Sequence, residues 1–288
     1  MLHVYEGWKG VQRGEALLPR VWGCPSIRLF PWVGVGAHGN APSQRTGQGV
    51  DRIPPNRIIM KIADKVRQAS FLRRENRFAC LVKLAGNIET AHLANSGRLE
   101  TVLTPGRTVF VAERPSPTRT TKYDLVTAAL GKTYVSVDDR VPMELVNEAL
   151  VQKALPQFQQ YSSIRREVPR GRSRLDFLLR NPTSQCFLEI KSVTLVRNSV
   201  AFFPDAPTER GRLHVESLVW AKKEGYEAAI LFVIQREDAE GFSPNDEVDP
   251  EFCQALRLAQ VKGLGIYAYK CRVKPNEIEL GGQVPVKL

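Results

Sequence analysis

Asp176, Glu189 and Lys191 are the residues of this chain whose types and spacing could do chemistry. They fall within RLDFLLRNPTSQCFLEIKSVTL, residues 174–195, where two β-prone runs flank Asn181, Pro182, Thr183 and Ser184. Those four residues carry turn chemistry, so the stretch reads as an antiparallel hairpin. Symmetry about the Pro182–Thr183 bond sets Leu175 opposite Ile190, Phe177 opposite Leu188 and Leu179 opposite Cys186, an apolar face. The same register puts Asp176 opposite Glu189 on the other face, with Lys191 two residues along and Arg174 across from it. Facing carboxylates destabilise a sheet unless one takes up a proton or a cation neutralises them. Magnesium is usually held by one or two carboxylates, with water and substrate phosphate filling its other positions. Lys191 beside such a cation could orient or deprotonate its water or stabilise phosphate charge, which is the chemistry of phosphodiester hydrolysis. On spacing alone the three residues equally fit a solvated sheet face with Glu189 paired to a nearby base.

The spacing D-x12-E-I-K resembles the PD-(D/E)xK nuclease signature. The words around it are more specific: SRLDFLL at 173–179, LEIKSVTL at 188–195, FPDAPTERGRLH at 203–214, HLANSGRL at 92–99 and LTPG at 103–106. Together they resemble the sugar fermentation stimulation protein family, from about residue 66 to the C-terminus. The resemblance implies an α/β (α+β overall) chain with an N-terminal OB-like β-barrel followed by a PD-(D/E)xK restriction-endonuclease-like α/β domain. It also implies a cytoplasmic bacterial or archaeal protein that binds DNA without sequence preference and is linked to regulation of sugar (maltose) use. Carried over residue by residue, it makes Asp176, Glu189 and Lys191 catalytic, with Asp176 and Glu189 as ligands of Mg2+. PD-(D/E)xK folds commonly take a further metal-site glutamate from the helix before the hairpin, which makes Glu148 a candidate ligand. The motif does not decide between a metal-dependent nuclease and a non-catalytic DNA-binding regulator with a vestigial site. The chain departs from the family in lacking a proline or similar residue before Asn95 and in carrying a long N-terminal extension.

Charge agrees with a polyanionic partner. Forty-one Lys and Arg against thirty Asp and Glu give +11, and without residues 1–59 the balance is still 34 to 27. DNA, duplex or single-stranded, is the expected partner. RREVPRGRSR, residues 165–174, holds five arginines just before Asp176, so Arg170, Arg172 and Arg174 read as a phosphate clamp. Arg73, Arg74, Arg77 and Arg98 are interleaved with Phe71, Phe78, Phe110 and Tyr123, as a base-stacking groove requires, although the aromatics would equally serve as core. Arg210 and His214 complete the nucleic-acid set, His214 as a phosphate contact or proton relay or as an ordinary packed histidine.

The elements follow from punctuation and period. Residues 1–59, with nine glycines and six prolines, show no sustained period and are expected to be a disordered extension, with Met60 a candidate start. Residues 60–124 read as the OB-like domain, with strands at 78–86, 88–92 and 108–113, and 125–142 as a connecting segment. Residues 143–288 form the nuclease-like domain. Its helix at 143–155 follows Pro142 as a stop, and the hairpin follows that. Next come a helix capped near Thr208 and ending at Gly225, a buried strand at 228–235, a helix at 250–262 capped by Asp249, and a last strand at 264–273. No run approaches the roughly 18 apolar residues of a membrane span. Five cysteines without C-x-x-C spacing argue against zinc and a disulfide framework and suit a reducing cytoplasm, with Cys186 and Cys253 read as small buried hydrophobes.

Overall fold

The computed structural model describes residues 57–114, 119–171 and 173–288, so residues 1–56 of the segment 1–59 read as a disordered extension lie outside the described residues, while 57–59 are ordered, with Arg57 paired to Glu279, Ile58 buried and Ile59 in a strand. The described chain opens with β1 (Ile59–Lys61), which pairs with the last strand of the chain. The chain then builds a barrel from β2 (Val66–Asn76), β3 (Ala79–Leu84), β4 (Asn87–His92), β5 (Thr108–Glu113), β6 (Tyr123–Leu130) and β7 (Thr133–Ser136). The strands run β4-β3-β2-β5-β6-β7, and a parallel pairing of β4 with β6 closes the sheet into an OB-type barrel. Alternation in β3 sends Cys80, Val82 and Leu84 inward to meet Phe71, Val109, Val111 and Leu125.

Two features differ from the sequence reading. Arg73 and Arg74 lie on β2 instead of ahead of the first strand, because bulges let β2 run on to Asn76. Much of the stretch read as a connecting segment belongs to the barrel, since β6 is buried on both faces and so shows no period of two.

α1 (Val141–Val151) leads into β8 (Ser163–Arg170), β9 (Ser173–Arg180), β10 (Gln185–Val193) and, after α2 (Glu209–Lys223), β13 (Glu227–Ile234). A small side sheet consists of β11 (Leu195–Arg197), β12 (Val200–Phe203) and β14 (Gly241–Pro244). α3 (Pro250–Val261), β15 (Gly265–Lys274) and β16 (Glu277–Val284) complete the chain. The main sheet runs β1-β16-β15-β13-β10-β9-β8, with β10, β13 and β15 parallel. α1 covers one face, burying Leu145, Val146 and Ala149 in the cluster that holds Phe177, Leu179, Leu188 and Ile190. α2 and α3 cover the other, where Leu218, Phe252 and Leu256 share a cluster with Phe187, Ile230 and Phe232. β13, apolar and buried on both faces, is the middle strand.

The hairpin pairs Leu179 with Cys186 and Phe177 with Leu188, the register set by the Asn181–Ser184 turn. Thr208 Oγ1 accepts from Gly211 N at 3.0 Å and Asp249 Oδ1 from Phe252 N at 2.9 Å, capping α2 and α3. Pro142 sits in the first turn of α1, where its missing N–H costs nothing, so it starts the helix instead of stopping the preceding segment. The arginine-rich run contains a strand, β8, at the sheet edge, where Pro169 is tolerated. β16 follows the segment read as the last strand. Its Gly281 stands where a Cβ would come within 2.7 Å of Lys270 O, beside a bulge in β15, so the glycine marks close backbone approach and not a turn. The four cysteines among the described residues are free and buried. Among those residues no helix is long and apolar enough to cross a membrane.

Candidate metal and nucleic-acid site

Beyond the Phe177–Leu188 pair, β9 and β10 are held by side chains. Asp176 Oδ2 accepts from Ile190 N at 2.7 Å, and Asp176 N donates to Glu189 Oε2 at 3.4 Å. Both carboxylates line one cavity of about 330 Å3. Glu189 is only 2% exposed, and its Oε1 meets both Lys191 Nζ at 2.7 Å and His214 Nδ1 from α2. Burial, and next the charge of Glu189, push the Asp176 carboxyl up to about 6. Burial acts on Glu189 in the same direction, but Lys191 and His214 outweigh it and hold that carboxyl below its ordinary value. One acid of the pair is thus paired with the Lys191 ammonium and the His214 ring, and the other has no such partner.

The opposite wall comes from the barrel. Asn95 is buried, donates to Val137 O and Asp139 Oδ1 at 3.0 and 2.8 Å, and accepts from Gly97 N at 2.8 Å. The φ of Gly97 lies outside the left-handed region; Leu99 takes the positive φ, 56°. Gly97 is required for a different reason: a Cβ there would overlap the carboxylate of Asp205, which also accepts from Leu99 N at 3.3 Å. Asp205, from the loop after β12, therefore rests on bare backbone and joins the barrel to the nuclease-like sheet beside the cavity. Gly97→Ala should destabilise the protein by about 1–3 kcal/mol, seen as a lower urea midpoint at unchanged slope. A loss of under about 0.5 kcal/mol would mean that the contact yields freely.

The expected arginines divide into two groups. Arg77 and Arg210 line the cavity and Arg98 lines the recess beside it; among the described residues none of the three forms an ion pair. His214 lines the cavity too, but it is 5% exposed and is held between Glu189 Oε1 and Arg210 Nε, which lies 3.4 Å from its Nε2. The others are committed elsewhere. Arg74 donates to the carbonyls of Asn95, Gly97 and Arg77, latching the barrel loop. Arg73 pairs with Glu75 at 2.7 Å, and Arg174 lies 3.9 Å from Glu167. Arg170 lies over the rings of Phe187 and Tyr226 and pairs with Glu224. The phosphate clamp drawn from 165–174 is therefore corrected for Arg170 and Arg174, neither of which lines the cavity. Arg172 lies outside the described residues.

Glu148 also falls elsewhere. It sits on α1, across the sheet from the face that carries Glu189, and accepts from Gln152 Nε2 at 3.1 Å. Helical period placed it on a helix without saying which face of the sheet the helix would cover. Asp205 and Asp139, by contrast, line the cavity without having been selected. Asp205 stood inside the string FPDAPTERGRLH, and Asp139 carried no local signal.

Among the described residues no group of three His, Cys, Asp or Glu side chains forms a ready metal cage. The donor set is the Asp176–Glu189 pair, and it fits a hard divalent cation: two carboxylates share one site, and one of them is raised by burial and by its neighbour's charge.

An OB-type barrel followed by an α/β domain, with a D…E-x-K site facing the barrel, is the class that fold and site define. The description "SfsA N-terminal OB domain" matches residues 72–137, and "Sugar fermentation stimulation protein RE domain" matches residues 140–277. Sugar fermentation stimulation protein homologs of Clostridium perfringens (strain SM101 / Type A) and Clostridium acetobutylicum are 43% and 41% identical to the chain over 230 residues. That covers 80% of this chain and all of each relative. The solved structure of Pyrococcus furiosus SfsA in complex with Ca2+ matches 80% of this chain and all of its own at 29% identity and a TM-score of 0.74. The chain belongs to the sugar fermentation stimulation protein family.

Proposed function

We propose that this is a largely sequence-non-specific DNA-binding protein of the cytoplasm, with a role in regulating sugar or maltose use, whose nuclease-like domain cleaves phosphodiester bonds with Mg2+. The observation that carries the reading is the convergence of Asp176, Glu189 and Lys191 in a cavity edged by Arg77 and Arg210. Asp176 and Glu189 would hold the cation, the role that Ca2+ suggests from the Pyrococcus furiosus relative. When bound, the cation supplies charge neutralisation and a more acidic water. Lys191, fixed on Glu189, orients its ammonium toward the phosphate and stabilises developing negative charge there. His214 keeps Glu189 in one rotamer from behind, and Arg77 and Arg210 draw the DNA backbone to the mouth of the cavity.

A second reading, a non-catalytic DNA-binding regulator, draws on Glu189 being paired with the Lys191 ammonium and bonded to His214. Supercoiled plasmid and single-stranded DNA incubated with Mg2+ or Mn2+ separate the two. Asp176→Ala and Lys191→Ala should each lower cutting by at least about 100-fold while retaining DNA binding. No cutting by the natural protein at any metal concentration leaves the regulator. Either version requires DNA affinity that falls steeply with salt.

A further inference from the structure

We propose that Phe78, with the Arg77 guanidinium over its ring, is a base-stacking platform next to the arginine that lines the carboxylate cavity, and that the strand taken there is unpaired. The inference rests on the DNA-binding reading above and names its substrate class. Phe78 sits in the tight connection between β2 and β3 and is 48% exposed, whereas Phe71 and Tyr123 of the same barrel are core. A phenylalanine left in water at this point leaves apolar surface uncovered, and the first loop of an OB-type barrel is a usual place for oligonucleotide contacts. The platform is rigid. Phe78 N donates to Asn76 Oδ1 at 2.9 Å, Phe78 O accepts from Leu93 N at 2.9 Å, and Arg77 O accepts from Arg74 Nη2 at 2.7 Å.

The Arg77 guanidinium lies 5.3 Å from the centre of the Phe78 ring and also lines the carboxylate cavity. Ser96 and Gly97 line both that cavity and the shallow recess beside it, to which Arg98 contributes. Arg77 thus links the exposed ring to the cavity that Arg210 and the carboxylates line. A base stacked on Phe78 would hand its phosphate to Arg77 and the next toward Asp176. A base still paired in a duplex interior has no free face to offer the ring, which selects single strands, overhangs and flaps. Among the described residues the other exposed large aromatic, Trp220, lies beside Glu216 and Glu224 with Lys223 over its ring, on a different pocket from the one the carboxylates line.

Fluorescence anisotropy with labelled single-stranded, blunt duplex and overhang oligonucleotides, in Ca2+, tests the assignment on the full chain. Phe78→Ala should weaken single-strand and overhang binding about tenfold and leave blunt duplex within twofold, at an unchanged melting temperature. Phe78→Trp should restore the single-strand affinity. Equal losses on duplex and single strand, or no loss on either, overturn the platform while the DNA-binding reading stands. Failure of the natural protein to bind any of the three DNAs overturns both.

Discussion

Glu189→Ala is expected to cost about 3–5 kcal/mol of folding stability and to abolish metal-dependent cleavage together. The Glu189 side chain is 2% exposed, and of the two groups on its Oε1 His214 is buried at 6% and Lys191 is part-buried at 12%. Removing the carboxylate leaves a largely buried ammonium without its partner, and breaking such a pair from one side costs far more than the pair contributed. Glu189→Gln separates the two roles. The amide keeps the volume and one acceptor for Lys191, so it should cost less than half as much stability, yet it removes the charge a cation needs. Urea denaturation at pH 7 without metal gives the stability difference, and nicking of supercoiled plasmid gives the activity. A Glu189→Ala protein within about 1 kcal/mol of the natural chain would show that Lys191 and His214 relax into solvent, and Glu189 would then lose its place at the centre of the site.

What could be read from the sequence follows from how local each feature is. The hairpin was legible because Asn181 to Ser184 fix the turn and the alternation of Leu175, Phe177 and Leu179 fixes the face. Thr208 and Asp249 were legible because a cap acts within three residues. Glu148 was misplaced because helical period does not say which side of a sheet a helix covers. The arginines of 165–174 looked like one patch in sequence, but strand geometry spreads them along an edge, and Arg170 stacks on Phe187 and Tyr226. Least legible was the meeting of HLANSGRL with FPDAPTERGRLH. Both strings carried the family resemblance, yet only the fold brings Gly97 against Asp205, two residues far apart in the chain and in different domains. That contact makes the cavity a product of barrel and sheet together.

Asp176→Asn should act with the opposite sign on the metal-free protein, raising its stability at pH 7 by on the order of 2 kcal/mol. Burial and the neighbouring charge of Glu189 raise the Asp176 carboxyl from 3.8 to about 6. Between those values the native state keeps a proton that the unfolded chain has released, so metal-free stability falls as pH rises from about 4 to about 6 and stays lower above. The full shift corresponds to roughly 3 kcal/mol, reduced here because the side chain is not wholly shielded from water. Asparagine can still accept from Ile190 N and carries no charge, so the variant should lose this slope and match the natural protein only as the pH falls toward 4. A divalent cation reverses the order: it competes with the proton on Asp176, so its affinity should weaken up to about tenfold per pH unit below 6. Thermal melts in EDTA and in excess Mg2+ across pH 4–8 check both halves. Asp176→Asn melting below the natural protein in EDTA at pH 7 would mean that the carboxylate is already stabilised without a cation. The pair would then hold no unfavourable charge for a metal to relieve.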